Sequence, residues 1–202
     1  MNNDVRIPKQ KRSIRKKEKI IEAGWKLITK NGYFNTNTAE IAKKAGVSTG
    51  IVYQYFNDKH DILIDALNKY GDDIFYPIVN IKEEKITNDN FSHTISQMIY
   101  QYINNHNISK DAHEEIMAMV HIDVDVAKYY YAREINLANE LYDVFVNSGF
   151  EKKYLKEKIH IMIEMIDNLC HDIVFHKHDE IDYKAMCKLV IANIDNMIKK
   201  EK

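Results

Sequence analysis

Residues 38–63 read TAEIAKKAGVSTGIVYQYFNDKHDIL. Ile41, Ala42 and Ala45 fall on one face of a short helix that Thr38, or Asn37 before it, can cap. Gly46-Val47-Ser48 then makes a three-residue turn, in which Gly46 can take positive φ, Val47 plugs the core and Ser48 caps the next helix. That helix is predicted over Thr49–Phe56, and Asn57-Asp58 restarts a fourth at Lys59. Two short helices on a glycine turn, the second small and polar at its leading end, form the pattern of a helix-turn-helix. Upstream, Ile20, Ile21, Ala23, Gly24, Leu27 and Ile28 recur at three- and four-residue steps from Lys17 onward, ending at Lys30-Asn31-Gly32. Trp25 can pack beside that face, and Tyr33-Phe34 carry apolar bulk back under the helix.

The spacing Thr38-x-x-Ile41-Ala42-x-x-Ala45-Gly46-Val47-Ser48-x-Gly50-x-Val52-Tyr53-x-Tyr55-Phe56-x-Asp58-Lys59-x-x-Ile62-Leu63 resembles the DNA-binding domain of the TetR family of transcriptional regulators. The likeness runs from Lys17 to Leu67. Tyr55 stands where the family more often has His, and Asp58 where many members carry Ser, Asn or Thr. The resemblance implies that Tyr53, Tyr55 and Lys59 meet backbone phosphates. A core position is the alternative for Tyr53, whereas Val52 and Phe56 read as core. From the chemistry of the residues, Ser48, Thr49 and Gly50 are small enough for close approach to a major groove, and Thr38 can meet a phosphate. Thr49, Ile51 and Gln54 are candidates for base edges, since Gln can bridge adenine N6 and N7 and Ile can meet a thymine methyl.

Charge supports a polyanion partner. The net charge is −1, yet residues 1–60 carry 13 Lys and Arg against five acids, and residues 61–202 carry 16 against 25. Eight of the bases lie between Arg6 and Lys19, so a solubilising tail is the alternative that charge alone leaves open. The expectation for Arg6–Lys17 is a stretch mobile until DNA is present, then adding minor-groove or phosphate contacts.

The chain has 202 residues, 45% apolar and 29% charged, with six Gly and two Pro, which favours long helices over a strand-rich sandwich. Residues 61–202 read as a helical body: a continuation of the fourth helix, a break at Pro77 among Ile74, Phe75 and Ile78, a loop at Ile86–Asn90, then five helices. These five are predicted near Phe91–Asn105, Lys110–His121, Val124–Asn147, Lys152–His176 and Ile181–Lys199. The expected organisation is all-α, with a DNA-binding domain and basic arm over 1–60 and a larger effector-binding and dimerisation domain over 61–202.

Two heptad-like stripes suggest a dimer seam: Ile159, Met162, Ile166, Leu169, Ile173, and Tyr183, Met186, Val190, Asn193, Met197. The alternative is that both face the chain's own core, and the resemblance to the TetR family favours the seam between subunits. His160, Glu164, Asp167 and His171 fall within about 60° on the penultimate helix. That polar stripe suits solvent, a pocket for a polar or cationic ligand, or a divalent metal, with His121, Asp123 and Asp125 able to complete a metal site. Met98, Tyr102, Met117, Met119 and Tyr130 suit either an adaptable apolar pocket or plain core. Tyr129, Tyr130 and Tyr131 cannot all point inward on one helix.

The sequence has no GxSxG, no phosphate-cradling glycine loop and no HExxH, so an enzyme is not expected and no cofactor is implied. No apolar run approaches a membrane span, the basic start has no apolar segment behind it, and Cys170 and Cys187 read as reduced thiols in a cytoplasmic chain. The expected partners are therefore double-stranded DNA, a second copy of the chain and a small-molecule effector. The function to expect is a repressor, bound to a palindromic operator as a dimer and released by its effector. The alternatives are an accessory DNA-binding protein without effector, or a metal-responsive regulator.

Overall fold

The computed structural model describes residues 10–71, 86–108 and 110–199, and among them every regular element is a helix. These are α1 (Lys11–Asn31), α2 (Thr38–Ala45), α3 (Thr49–Val52), α4 (Lys59–Tyr70), α5 (Phe91–Ile108), α6 (Lys110–Ile122), α7 (Val124–Asn147), α8 (Leu155–Phe175) and α9 (Tyr183–Ile198). Pro77 with Ile74, Phe75 and Ile78, and the basic residues Arg6 and Lys9, lie outside the described residues.

The chain divides into two compact units, residues 1–75 with 111–130, and residues 76–110 with 131–202. The first is built on α1, whose Ile20, Ile21 and Ala23 meet Ile41 and Ala42 of α2, Val52 of α3, Tyr55, Phe56, and Ile62 and Ala66 of α4. A division at residue 60 therefore cuts α4 from the core that its own apolar face completes. Asn37 caps α2 in a reciprocal pair with Glu40, Gly46 closes it at φ 71°, and Asp58 accepts from the His60 and Asp61 amides at the start of α4. Ser48 occupies the cap position of α3 without a side-chain cap bond, and regular helix there stops at Val52 rather than Phe56, the chain continuing in a turn.

Two expectations about this unit are corrected. Helix α1 starts at Lys11, so residues 11–17 are helix and not an arm awaiting DNA. Lys and Arg are good helix formers, and Lys17 is anchored 2.6 Å from Asp65 on α4. Phe34 is 71% exposed and does not return under the helix; Tyr33 beside it is half-buried. Trp25 does pack at the rim of the core, stacked on Tyr70 with ring centroids 5.6 Å apart.

Residues 111–130, far along the chain, belong to the same unit. Asp123 stops α6 and starts α7, its carboxylate accepting from the Asp125 and Val126 amides at 3.0 Å and lying 3.0 Å from His60 Nε2. Burial opposes ionisation of Asp123, but those amides and His60 outweigh it and hold the carboxyl below its usual range. A depressed carboxyl contributes stability above its unfolded pKa, and that contribution disappears as pH falls through the folded value. Asp123→Ala is accordingly expected to cost about 1–2 kcal/mol at neutral pH. Urea melts of both proteins should converge as the pH is taken below the ordinary carboxylate range.

The second unit has an aromatic centre in which Phe91, Phe145 and Phe150 lie 5.3–5.7 Å apart. Helix α8 packs on α5 and α9, and Asp182 caps α9 by accepting from the Lys184 and Ala185 amides. That packing settles the first heptad stripe: Ile159, Met162, Ile166 and Leu169 are buried within the chain, and Ile173 is half-buried. The expectation that this stripe forms a seam between subunits is corrected, because its own neighbours already cover it. Tyr183 is buried, Met186, Val190 and Met197 are half-buried, and Asn193 is exposed. Of the three consecutive tyrosines on α7, Tyr131 is the exposed one.

Candidate nucleic-acid interface

Helices α2 and α3 converge on one exposed polar point. The Thr38 hydroxyl at the start of α2 lies 3.0 Å from the Tyr53 hydroxyl at the end of α3, and Tyr53 is 50% exposed. Ser48, Thr49, Gly50 and Gln54 are exposed, and Ile51 is half-buried against the core. A Cβ built on Gly50 would meet only Ser48 Oγ, at 3.9 Å, so the fold itself does not require glycine there. In the same unit Lys43 and Lys44 on α2, and Lys11, Arg12, Arg15 and Lys19 on α1, are also exposed. An anionic, groove-shaped partner fits a surface of small residues, hydroxyls, one amide and cations.

Two of the expected contacts are placed elsewhere. Tyr55 is 4% exposed and belongs to the core, so its assignment to a phosphate is corrected. Tyrosines two apart on a helical turn point about 200° apart, so one of the two had to turn inward. Lys59 is not a free surface cation. Its Nζ donates to the carbonyls of Tyr33 at 2.6 Å and Thr36 at 2.9 Å, and lies 4.2 Å from the Tyr33 ring centre. From the other side Glu115 of α6 accepts the Tyr33 amide at 2.5 Å. Lys59 thus positions the α1–α2 loop, and with it the entry to α2. Spacing alone could not reveal that, because the partners are backbone carbonyls.

The candidate pocket residues divide. Met117, His121 and Tyr130 belong to the first unit, whereas Met98, Tyr102, His160, Glu164, Asp167 and His171 belong to the second. Met98 and Tyr102 are buried, and the Tyr102 hydroxyl donates to Asp167. His171 instead packs on Phe175 and His176. His121 is exposed, and Asp123 pairs with His60 rather than with the polar stripe. A residue missed in the sequence, Glu134 of α7, lies 3.1 Å from His160 Nδ1. Burial, with Glu164 and Asp167 nearby, pushes its carboxyl up against the pull of His160.

Residues 20–66, which hold the convergent point, match the family described as bacterial regulatory proteins, tetR family. Over these residues the chain is similar to the tetR family of bacterial regulatory proteins. It is 36% identical over 102 residues to the fatty acid metabolism regulator protein of Bacillus subtilis (strain 168), covering 50% of this chain and 52% of that one. It is 46% identical over 57 residues to the HTH-type transcriptional regulator HbdR of Aromatoleum sp. (strain CIB), covering 28% and 25%. The chain therefore spans about half the length of the first relative and a quarter of the second. In fold, it is similar to a transcriptional regulator from Rhodococcus sp. Rha1, with a TM-score of 0.68, 14% identity, and coverage of 92% and 99%. No helix of the described residues is long and apolar enough to cross a membrane.

Within this unit, Lys59→Met separates positioning from phosphate contact. Two carbonyls lose a charged donor, so stability is expected to fall by about 1–3 kcal/mol. The slope of DNA affinity against salt should stay unchanged. A slope lower by about 1 would instead assign Lys59 to a phosphate.

Proposed function

We propose that this TetR-family chain is a dimeric DNA-binding transcriptional regulator, a repressor that reads a palindromic operator and is released when a small-molecule effector binds its second unit. The convergence of Thr38 and Tyr53 beside exposed Ser48, Thr49, Gly50 and Gln54 carries the reading. Two hydroxyls from two helices suit one phosphate, while α3 offers Thr49, Ile51 and Gln54 to base edges. Exposed cations on α1 and α2 add the sequence-independent, salt-sensitive part.

For the dimer, the supporting observation is a pair of outward stripes in the second unit. Ile161, Met165 and Asn168 follow one another on α8, and Ala185, Leu189, Ala192 and Asn196 on α9; Leu189 is 64% exposed. They step by three and four residues, the spacing of a helical seam, and they lie one step away from the stripes that the sequence suggested. A two-fold axis through such a face gives two identical reading heads and hence an inverted repeat. For the effector, the polar set of Tyr102, Asp167, Glu134 and His160 gives the second unit chemistry beyond plain apolar packing.

Selection of genomic fragments by the purified chain at two salt concentrations, followed by sequencing, tests the reading. Recovery of a palindrome whose preference relaxes at particular base pairs in Gln54→Ala is the expected result. Salt-sensitive binding with no motif would replace the repressor by an accessory DNA-binding protein.

A further inference from the structure

Glu134, His160 and Glu164 come together in the second unit from two helices. His160 and Glu164 stand one turn apart on α8, and Glu134 approaches from α7. One ligand atom from each lies within 4.8 Å of the others, and His160 Nδ1 stands 3.1 Å from Glu134 Oε1. That separation is near the edge of a tetrahedron, about 3.3 Å, whose corners lie about 2.0 Å from a metal. Glu134 is only 7% exposed, while His160 and Glu164 are exposed. One carboxylate is thus sunk at the base, with two donors at a rim that an ion can enter from solvent.

His160, Glu164 and Asp167 all act on Glu134, so that with Glu134 itself three carboxylates gather about one imidazole. Burying a carboxylate is costly unless it is paired with a cation. Asp167 is anchored from behind by the Tyr102 hydroxyl, which places its charge at the cluster without making it a ligand. Outer carboxylates held in this way are common around metal sites.

We propose that Glu134, His160 and Glu164 form a binding site for a divalent first-row transition-metal ion. One nitrogen and two oxygen donors suit a borderline ion of the zinc, cobalt or manganese type. Calcium and magnesium take oxygen ligands, so the imidazole gives them no advantage. Three protein ligands leave at least one coordination position for water. Cys170 and Cys187 do not join the cluster.

Co2+ is the probe, because its visible absorption reports coordination by protein. The full chain, stripped with EDTA, is titrated with Co2+ and then back-titrated with Zn2+, with no DNA present, so that failure here leaves the DNA-binding reading standing. His160→Gln and Glu164→Gln alter exposed side chains, and thermal melts confirm that both remain folded. His178→Gln, exposed and outside the cluster, is the control. The expected result is saturation at one equivalent per chain, displacement by Zn2+, affinity at least tenfold weaker in both cluster variants, and no change in the control. Absence of saturation at one equivalent, or a weakening below tenfold in either cluster variant, overturns the proposal.

Discussion

Gly50→Leu is expected to leave the thermal midpoint of the chain close to that of the parent and to lower operator affinity by about 100-fold or more. The two halves of that result have separate causes. Gly50 is exposed, and a Cβ there would meet only Ser48 Oγ at 3.9 Å, so the folded chain has room for a side chain. The same openness is what a major groove would use. A leucine there holds α3 away from the base edges and removes contacts that are each worth about 1–3 kcal/mol. A dimer loses them twice. Melting followed by circular dichroism and binding to the selected operator measure the two quantities on one preparation. Unchanged affinity would mean that α3 does not enter the groove.

Gly24→Leu should do the reverse, damaging the fold at a position that faces no DNA. A Cβ on Gly24 would stand 2.5 Å from Ile62 Cγ2 and 3.7 Å from Ile41 Cδ1. Ile62 is fully buried on α4, and a β-branched residue in a helix has little rotamer freedom with which to yield. Even Gly24→Ala should lose, although alanine gains about 1 kcal/mol of helix propensity over glycine. Overpacking of this kind costs about 1–3 kcal/mol. Leucine adds three more carbons to a contact already too close, and its loss should exceed about 3 kcal/mol. Chemical denaturation of the three proteins gives the order glycine, alanine, leucine. An alanine variant more stable than the parent would show that α1 and α4 can separate freely.

Much of the first unit could be read from local chemistry. Asn37, Gly46 and Asp58 act within a few residues of themselves, so their capping and turning roles were legible before any packing was known. Ile20, Ile41 and Ile62 likewise declared their faces through periodicity. What could not be read was which of two equivalent choices the packing would take. Tyr53 and Tyr55 point apart, and only the shape of the core decides that Tyr55 enters it. The α8 stripe was correctly apolar at Ile159, Met162, Ile166 and Leu169, but periodicity names a face and not what covers it. Lys59 and Glu115 escaped because both act on the backbone of one loop, and their types carry no sign of that task. Glu134 escaped because its partner, His160, belongs to a different helix.

The membership of residues 111–130 in the first unit bears on how this head could be borrowed. A contiguous segment ending near residue 75 would carry the whole helix-turn-helix yet leave behind Glu115, the acceptor of the Tyr33 amide, and Asp123, the partner of His60. Transplanted onto another dimeriser, that segment would present the right letters on a loosened frame. A faithful graft needs the later helix as well, supplied through a linker or by circular permutation. The proposed DNA reader is thus one object in space written in two places along the gene.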